Sequence, residues 1–432
     1  MRTPSPGLLL AALLAMLLSA CASNDIYRSN FDNCVVTAQE KCESHTIQQH
    51  NVGSDSEYLL GFVEIDDQGQ LRNRAQMQAV LDELYALASR ESVLINVFVH
   101  GWHHSAKPGD SNVESFKASL AELSRVEHQL HPEKAARRVV GVYVGWRGES
   151  IDVPWINNIT FWDRKNTAHE VGYLGMAELL LKLEEIRNVK NTQEPPVKSR
   201  LVILGHSFGG AAVYSATAQI LADRFINNRS GKNYIGDAEG FGDLVVLLNP
   251  AFEALKYAPL YDLAQARCSY FEEQAPRLVI LTSEADYATK YAFPAGRVFS
   301  TFFETHGTIE RNDCGKPLAY SEGAADRSTA GHFKPLQSHE LRPAEKIREL
   351  DYRNVQKIWK KQQTKGVAQF GSTRLSSLDH TVEHNPYLNV RVDKQLIKDH
   401  NDVFGKEIME FIRTLIVVST GERESVTAGE TK

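Results

Sequence analysis

Apolar residues recur along this chain in two rhythms. Short runs that are apolar at nearly every position alternate with longer stretches in which apolar residues return every three or four positions. Runs of the first kind are Tyr58 to Ile65, Val93 to Val99, Val139 to Val144, Leu201 to Leu204, Leu244 to Leu248, Leu278 to Leu281 and Tyr387 to Val392, and each predicts a strand. The second kind predicts helices over 72–90, 116–130, 171–187 and 407–416. In the first of these Met77, Val80, Leu81, Leu84 and Leu87 share a face; in the third Leu174, Leu179, Leu180, Leu183 and Ile186 do. A strand that is apolar on both faces must be covered on both. The pattern therefore predicts an α/β fold, a mostly parallel sheet with helices on both faces. Ligands of such sheets bind beyond the carboxyl ends of the strands, so the residues just after each run are where chemistry is expected.

The N-terminus follows a different pattern. Arg2 precedes an unbroken apolar run from Leu8 to Leu18, shorter than the ~20 residues a bilayer span needs but suited to the core of a secretory signal. The following Leu18-Ser19-Ala20-Cys21 resembles the lipobox of bacterial lipoproteins. The resemblance implies removal of residues 1–20, lipid on Cys21, and anchorage in the bacterial cell envelope. Ala22 rather than Asp follows Cys21, which by the same resemblance implies the outer membrane. Several acyl chains hold durably, because each buried CH₂ contributes about 0.8 kcal/mol. Setting Cys21 aside leaves Cys34, Cys42, Cys268 and Cys314. An even number in an exported chain permits two disulfides, and pairing near neighbours gives Cys34–Cys42 and Cys268–Cys314, one of three possible connectivities. Residues 21–57 are polar and read as a tether with an irregular extension. The main domain spans 58–418, and a polar tail occupies 419–432.

Composition excludes some partners. The 432 residues include 48 basic and 54 acidic ones, a net charge of −6, which offers nothing to nucleic acid. The chain has no G-x-G-x-x-G motif and no P-loop lysine, and no cofactor is expected.

The strongest chemical signal is Gly205-His206-Ser207-Phe208-Gly209, between the Leu201–Leu204 run and a small-residue helical stretch from Ala211. Strand, tight turn and helix around G-x-S-x-G put a serine on an exposed corner; the bland reading is a Gly-rich turn with a solvated serine. Two other polar points lie at strand ends further along. Asp286 closes Thr282-Ser283-Glu284-Ala285-Asp286 after the Leu278–Leu281 run, with Glu284 as its competitor, and an aspartate there could equally cap a helix. His400 lies between the Tyr387–Val392 strand and the closing helix, while His306, His332, His339, His380 and His384 sit in polar or Gly/Pro-containing stretches. His306 and His332 are further candidates to line a pocket. After the Val93–Val99 strand comes His100-Gly101-Trp102-His103-His104. Zinc sites need three or four spaced ligands and no further ligand motif accompanies this cluster, so no metal is expected.

Taken together, these motifs resemble the α/β-hydrolase superfamily, in particular its bacterial serine esterases, over about residues 93–416. The resemblance implies that Ser207 is a nucleophile, His400 its base and Asp286 the acid that orients the base. It also implies that the Phe208 and Trp102 N–H groups form an oxyanion hole, on a loop supported by His100 and Gly101. The expected activity is hydrolysis of a small-molecule or lipid ester. A peptidase or amidase with the same triad, and an inactive surface-tethered binding protein on a hydrolase scaffold, are the alternatives. Two stretches read as caps over the pocket: 146–166, with Trp146, Trp155, Phe161 and Trp162, and an insertion at about 288–385 that holds an amphipathic helix near Ile347 to Trp359.

Overall fold

A computed structural model describes residues 26–66, 68–132, 136–146, 172, 174–230, 233–301 and 304–421. The expected signal segment, Cys21, nearly all of the 146–166 stretch, Phe302, Phe303 and the chain beyond 421 lie outside the described residues.

Among the described residues the chain forms sixteen strands and nine α-helices, numbered in chain order. The first half holds β1 (Asn30–Val35), β2 (His45–His50), β3 (Tyr58–Glu64), α1 (Arg74–Arg90), β4 (Val93–Val99), α2 (Ser111–Leu130), β5 (Arg138–Gly145), α3 (Gly175–Asn191), β6 (Arg200–His206) and α4 (Phe208–Asn227). Next come β7 (Arg229–Ser230), β8 (Asn233–Tyr234), β9 (Leu244–Leu248), α5 (Ala254–Ala266), β10 (Leu278–Ser283), α6 (Phe293–Ser300), β11 (Thr308–Asp313), β12 (Lys316–Ser321) and α7 (Glu322–Arg327). The chain closes with β13 (His339–Pro343), α8 (Val355–Lys365), β14 (Val367–Phe370), β15 (Thr373–Ser377), β16 (Tyr387–Val392) and α9 (Lys406–Thr420).

A 12-stranded sheet runs β1-β2-β3-β5-β4-β6-β9-β10-β16-β13-β15-β14. Every neighbouring pair from β3 to β13 is parallel. All seven residues of β4 are buried. Val93, Ile95, Val97 and Val99 join the apolar cluster that packs α1, α3, α4 and α5; Leu94 and Phe98 join the one that packs α2, α8 and α9. The strand period of two thus feeds two cores, one on each face. The expected α/β class and mostly parallel sheet are what is seen.

The expected irregular extension at 21–57 is corrected. Residues 30–35 and 45–50 are strands that extend the sheet beyond β3. Their polarity hid them: β1 lies at the edge and is largely exposed, and buried Thr46 and Gln48 of β2 are satisfied by the carbonyls of Arg28 and Cys42. The expected cap at 288–385 is corrected in part. Its second half supplies β13, β15 and β14 to the other sheet edge, and the helix expected near 347–359 is α8, which starts at Val355 and packs on α9. A four- or five-residue strand carries too few positions for its partner to be read locally. The final helix runs to Thr420, two residues into the expected tail. Both disulfides are present, Cys34–Cys42 and Cys268–Cys314.

Candidate active site

Ser207 sits between β6 and α4 with φ 54° and ψ −120°. That left-handed conformation is strained for a non-glycine residue, and main-chain bonds hold it. Ser207 N–H donates to Leu248 O at 2.9 Å, and its carbonyl accepts from Ala211 N and Ala251 N at 3.1 Å. Gly209 lets the corner close. A Cβ there would lie 2.3 Å from His100 O and 2.4 Å from Val99 O, so the start of α4 packs directly on the exit of β4. Gly101 serves the same approach from the other side; its Cβ would lie 2.9 Å from Ser207 Cβ and 2.8 Å from His206 Nδ1.

Three loops bring the expected residues together. His400 Nε2 lies 2.6 Å from Ser207 Oγ, and His400 Nδ1 lies 2.9 Å from Asp286 Oδ1. Asp286 is fully buried, whereas 20% of the His400 side chain is exposed. Burial by itself pushes the Asp286 carboxyl up. The His400 charge and hydrogen bonds from His400 and Thr289 outweigh it and hold the carboxyl below its ordinary value. Asp286 also accepts the Thr289 N–H at 3.1 Å, so it caps the following helical turn while facing His400. Glu284 points elsewhere, to Arg391 at 3.4 Å.

The main chain of His400 is clamped as well. Its carbonyl accepts from His206 Nε2–H at 2.8 Å and from Asn249 Nδ2 at 3.0 Å. Asn249 has φ 43° and its Oδ1 accepts the Ser283 N–H at 2.9 Å, so one side chain joins the ends of β9 and β10 to the base loop. Burial, with the His400 charge adding, pushes His206 down to about 3 and keeps it neutral.

The His100–His104 segment divides into separate tasks. His100 is fully buried; its Nδ1–H donates to Gly101 O at 2.7 Å, and its Nε2 accepts from Trp146 N at 3.0 Å. Burial pushes it down to about 4, so it is neutral, and the two bonds fix its tautomer. Trp146 stacks on the ring at 5.6 Å and donates its indole N–H to His100 O. His100 thus ties the segment after β4 to Trp146. His104 bonds Asp110 and Asn112, and His103 stacks on Trp102 at 4.1 Å. Trp102 also meets the Phe208 ring edge-on at 6.4 Å. The residues expected to supply oxyanion donors are thus neighbours across the elbow.

Of the other histidines, His332 reaches Asp286 through Thr289. His339 lies in β13, and His380 bonds Gln337 O. His306 stands beside Glu304 and Asp326, but Asp326 is taken by Arg297 at 2.5 Å. Near Ser207, Asp286 and His400, Asn249 and Thr289 had no motif to announce them, while His206 lies inside the Gly205–Gly209 motif and Trp146 opens the 146–166 stretch without either having been given a role at the site. The one signal for Asn249 and Thr289 is position, since Asn249 follows β9 and Thr289 lies close after Asp286.

The constellation can move a proton from a serine hydroxyl to an imidazole and hold the resulting charge beside a carboxylate. Comparison of the chain with protein-family models, with curated proteins and with solved structures returns no match.

Proposed function

We propose that the chain adopts the α/β-hydrolase fold and is a serine hydrolase that cleaves carboxylic esters through an acyl-enzyme on Ser207. One observation carries this reading: the hydrogen-bonded line Ser207 Oγ, His400 Nε2, His400 Nδ1, Asp286 Oδ1, at 2.6 and 2.9 Å, drawn from three loops. The corner that holds Ser207 follows a central strand of the sheet, with the acid and the base after strands on the same side of it, β10 and β16.

In the first half-reaction His400 Nε2 takes the Ser207 proton as Oγ bonds the ester carbonyl carbon. The carbonyl oxygen becomes an oxyanion, which the Phe208 and Trp102 N–H groups stabilise. The intermediate collapses, its C–O bond breaks, and His400 Nε2–H protonates the departing alkoxide. A water then repeats the sequence on the acyl-enzyme. It gives its proton to His400, the carboxylic acid leaves, and Ser207 regains its hydrogen. Asp286 stays ionised and keeps the imidazole turned toward Ser207.

Fluorophosphonate labelling of the purified protein tests this. We expect stoichiometric adduct on wild type and none on Ser207→Ala, with turnover of p-nitrophenyl esters in parallel. Labelling that survives the substitution would refute the nucleophile. Turnover of amides with esters left untouched would move the activity to the peptidase class. The envelope assignment rests on Cys21 and its lipobox-like surroundings, which suit an enzyme acting on lipid or other envelope esters.

A further inference from the structure

The Asp286 carboxylate receives three hydrogen bonds, and only one comes from the triad. Oδ1 accepts from His400 Nδ1 at 2.9 Å and from Thr289 N at 3.1 Å; Oδ2 accepts from Thr289 Oγ1. Thr289 is itself 1% exposed, and His332 Nε2 lies 3.1 Å from its hydroxyl oxygen. The directions of these bonds follow from the donor inventory. An ionised carboxylate only accepts, so the Thr289 hydroxyl proton is committed to Asp286. The Thr289 oxygen must then accept from His332, and His332 carries its proton on Nε2. The charged groups facing His332 are Asp286, Lys290 and His400, and burial pushes it down to about 4, so it donates as a neutral ring.

We propose that Thr289 and His332 are positioning residues for the reaction, locking the Asp286 carboxylate so that one oxygen faces the base. This rests on the triad reading above. A carboxylate bound only to His400 could rotate about Cβ–Cγ and carry the imidazole with it. Thr289 grips both oxygens and removes that freedom. The grip is anchored: Thr289 O accepts from Thr329 Oγ1, Ala330 N donates to Phe252 O at 3.0 Å, and Ala330 O accepts from Asn389 of β16 at 2.8 Å. Both positioning residues come from the long segment between acid and base, which gives that segment a task at the back of the acid.

The test uses the full-length enzyme. Thr289→Val removes the hydroxyl and keeps the shape; Thr289→Ser restores the donor; His332→Leu removes the relay donor and His332→Gln supplies an amide in its place. We expect kcat and the fluorophosphonate labelling rate of Thr289→Val to fall about tenfold, inside the ~10²-fold that a misplacement of about 1 Å can produce. KM should stay unchanged and Thr289→Ser should recover the rate. His332→Leu should lose less, with His332→Gln closer to wild type. The low-field ¹H resonance of His400 Nδ1–H reads the geometry without any reaction, and should shift in Thr289→Val and return in Thr289→Ser. A folded Thr289→Val that keeps the wild-type rate and resonance would overturn the proposal. Should Thr289→Val fail to fold, the His332 pair decides on the same readouts. Absence of Ser207 labelling in wild type would instead sink the triad reading, and the resonance would still report on the positioning.

Discussion

Replacing Gly209 by alanine separates packing at the elbow from stability. The added Cβ would stand 2.3 Å from His100 O, 2.4 Å from Val99 O and 2.8 Å from Val99 C. All three are main-chain atoms, so no side-chain rotation relieves the clash. Ordinary carbon–oxygen contact begins near 3.3 Å, and the start of α4 and the end of β4 must therefore part by about 1 Å. Ser207 and Phe208 travel with α4, while Gly101 and Trp102 travel with β4. On the proposed mechanism the substitution thus pulls the proposed nucleophile away from half of its proposed oxyanion site. A lost oxyanion donor lowers turnover by ~10²–10³, and we expect a fall of about 10² in kcat/KM and in labelling rate. Stability should respond less. Overpacking costs about 1–3 kcal/mol, and alanine in a helix returns about 0.5–1 kcal/mol relative to glycine. The control is Gly53→Ala, at φ +81° with open space around it, which should lose a little stability and no activity. Ester turnover, labelling kinetics and thermal melting of the three proteins make the assay. A folded Gly209→Ala reacting within about twofold of wild type would refute the close packing of elbow and oxyanion loop.

Acid should destabilise the fold in a defined window. His50, His100, His206, His332 and His339 are pushed down by burial to about 4, 4, 3, 4 and 3, so the unfolded chain takes up their protons first. Their contribution is whole above the unfolded value near 6.5, is lost as pH falls toward about 4 for His50, His100 and His332 and toward about 3 for His206 and His339, and is flat below those values. Each fully neutral histidine adds a slope of up to about 1.4 kcal/mol per pH unit. The urea midpoint should therefore be lower at pH 5 than at pH 7.5, and an unchanged midpoint would contradict the neutral assignments. Cys21→Ser should release the protein from membranes into the soluble fraction; unchanged membrane fractionation would exclude the lipid anchor.

Much of this site was legible before any fold was known, because its signals are local. A G-x-S-x-G corner between an apolar strand and a small-residue helix is a property of one short, continuous stretch of chain. Burial on both faces leaves its mark in each strand, and so the parallel sheet and the strand-end positions of Ser207, Asp286, His400 and His100 could be expected. Other features depend on neighbours distant in the chain. β1 is polar because it is largely exposed at the sheet edge, and the buried Thr46 and Gln48 of β2 are satisfied by hydrogen bonds to main-chain carbonyls. β13 reaches the sheet only by pairing with β16, which follows it by more than forty residues. Asp286 and Glu284 differ in direction: two residues apart on one loop, one carboxylate turns in to His400 and the other out to Arg391. The hydrogen bonds of Thr289 with His332, and the clamp of His206 and Asn249 on the His400 carbonyl, could not be read from the sequence, although His206 itself stands in the Gly205–Gly209 motif. A hydrogen bond is decided by the position of two atoms in space, and for these pairs chain folding alone brings the atoms within 3.5 Å.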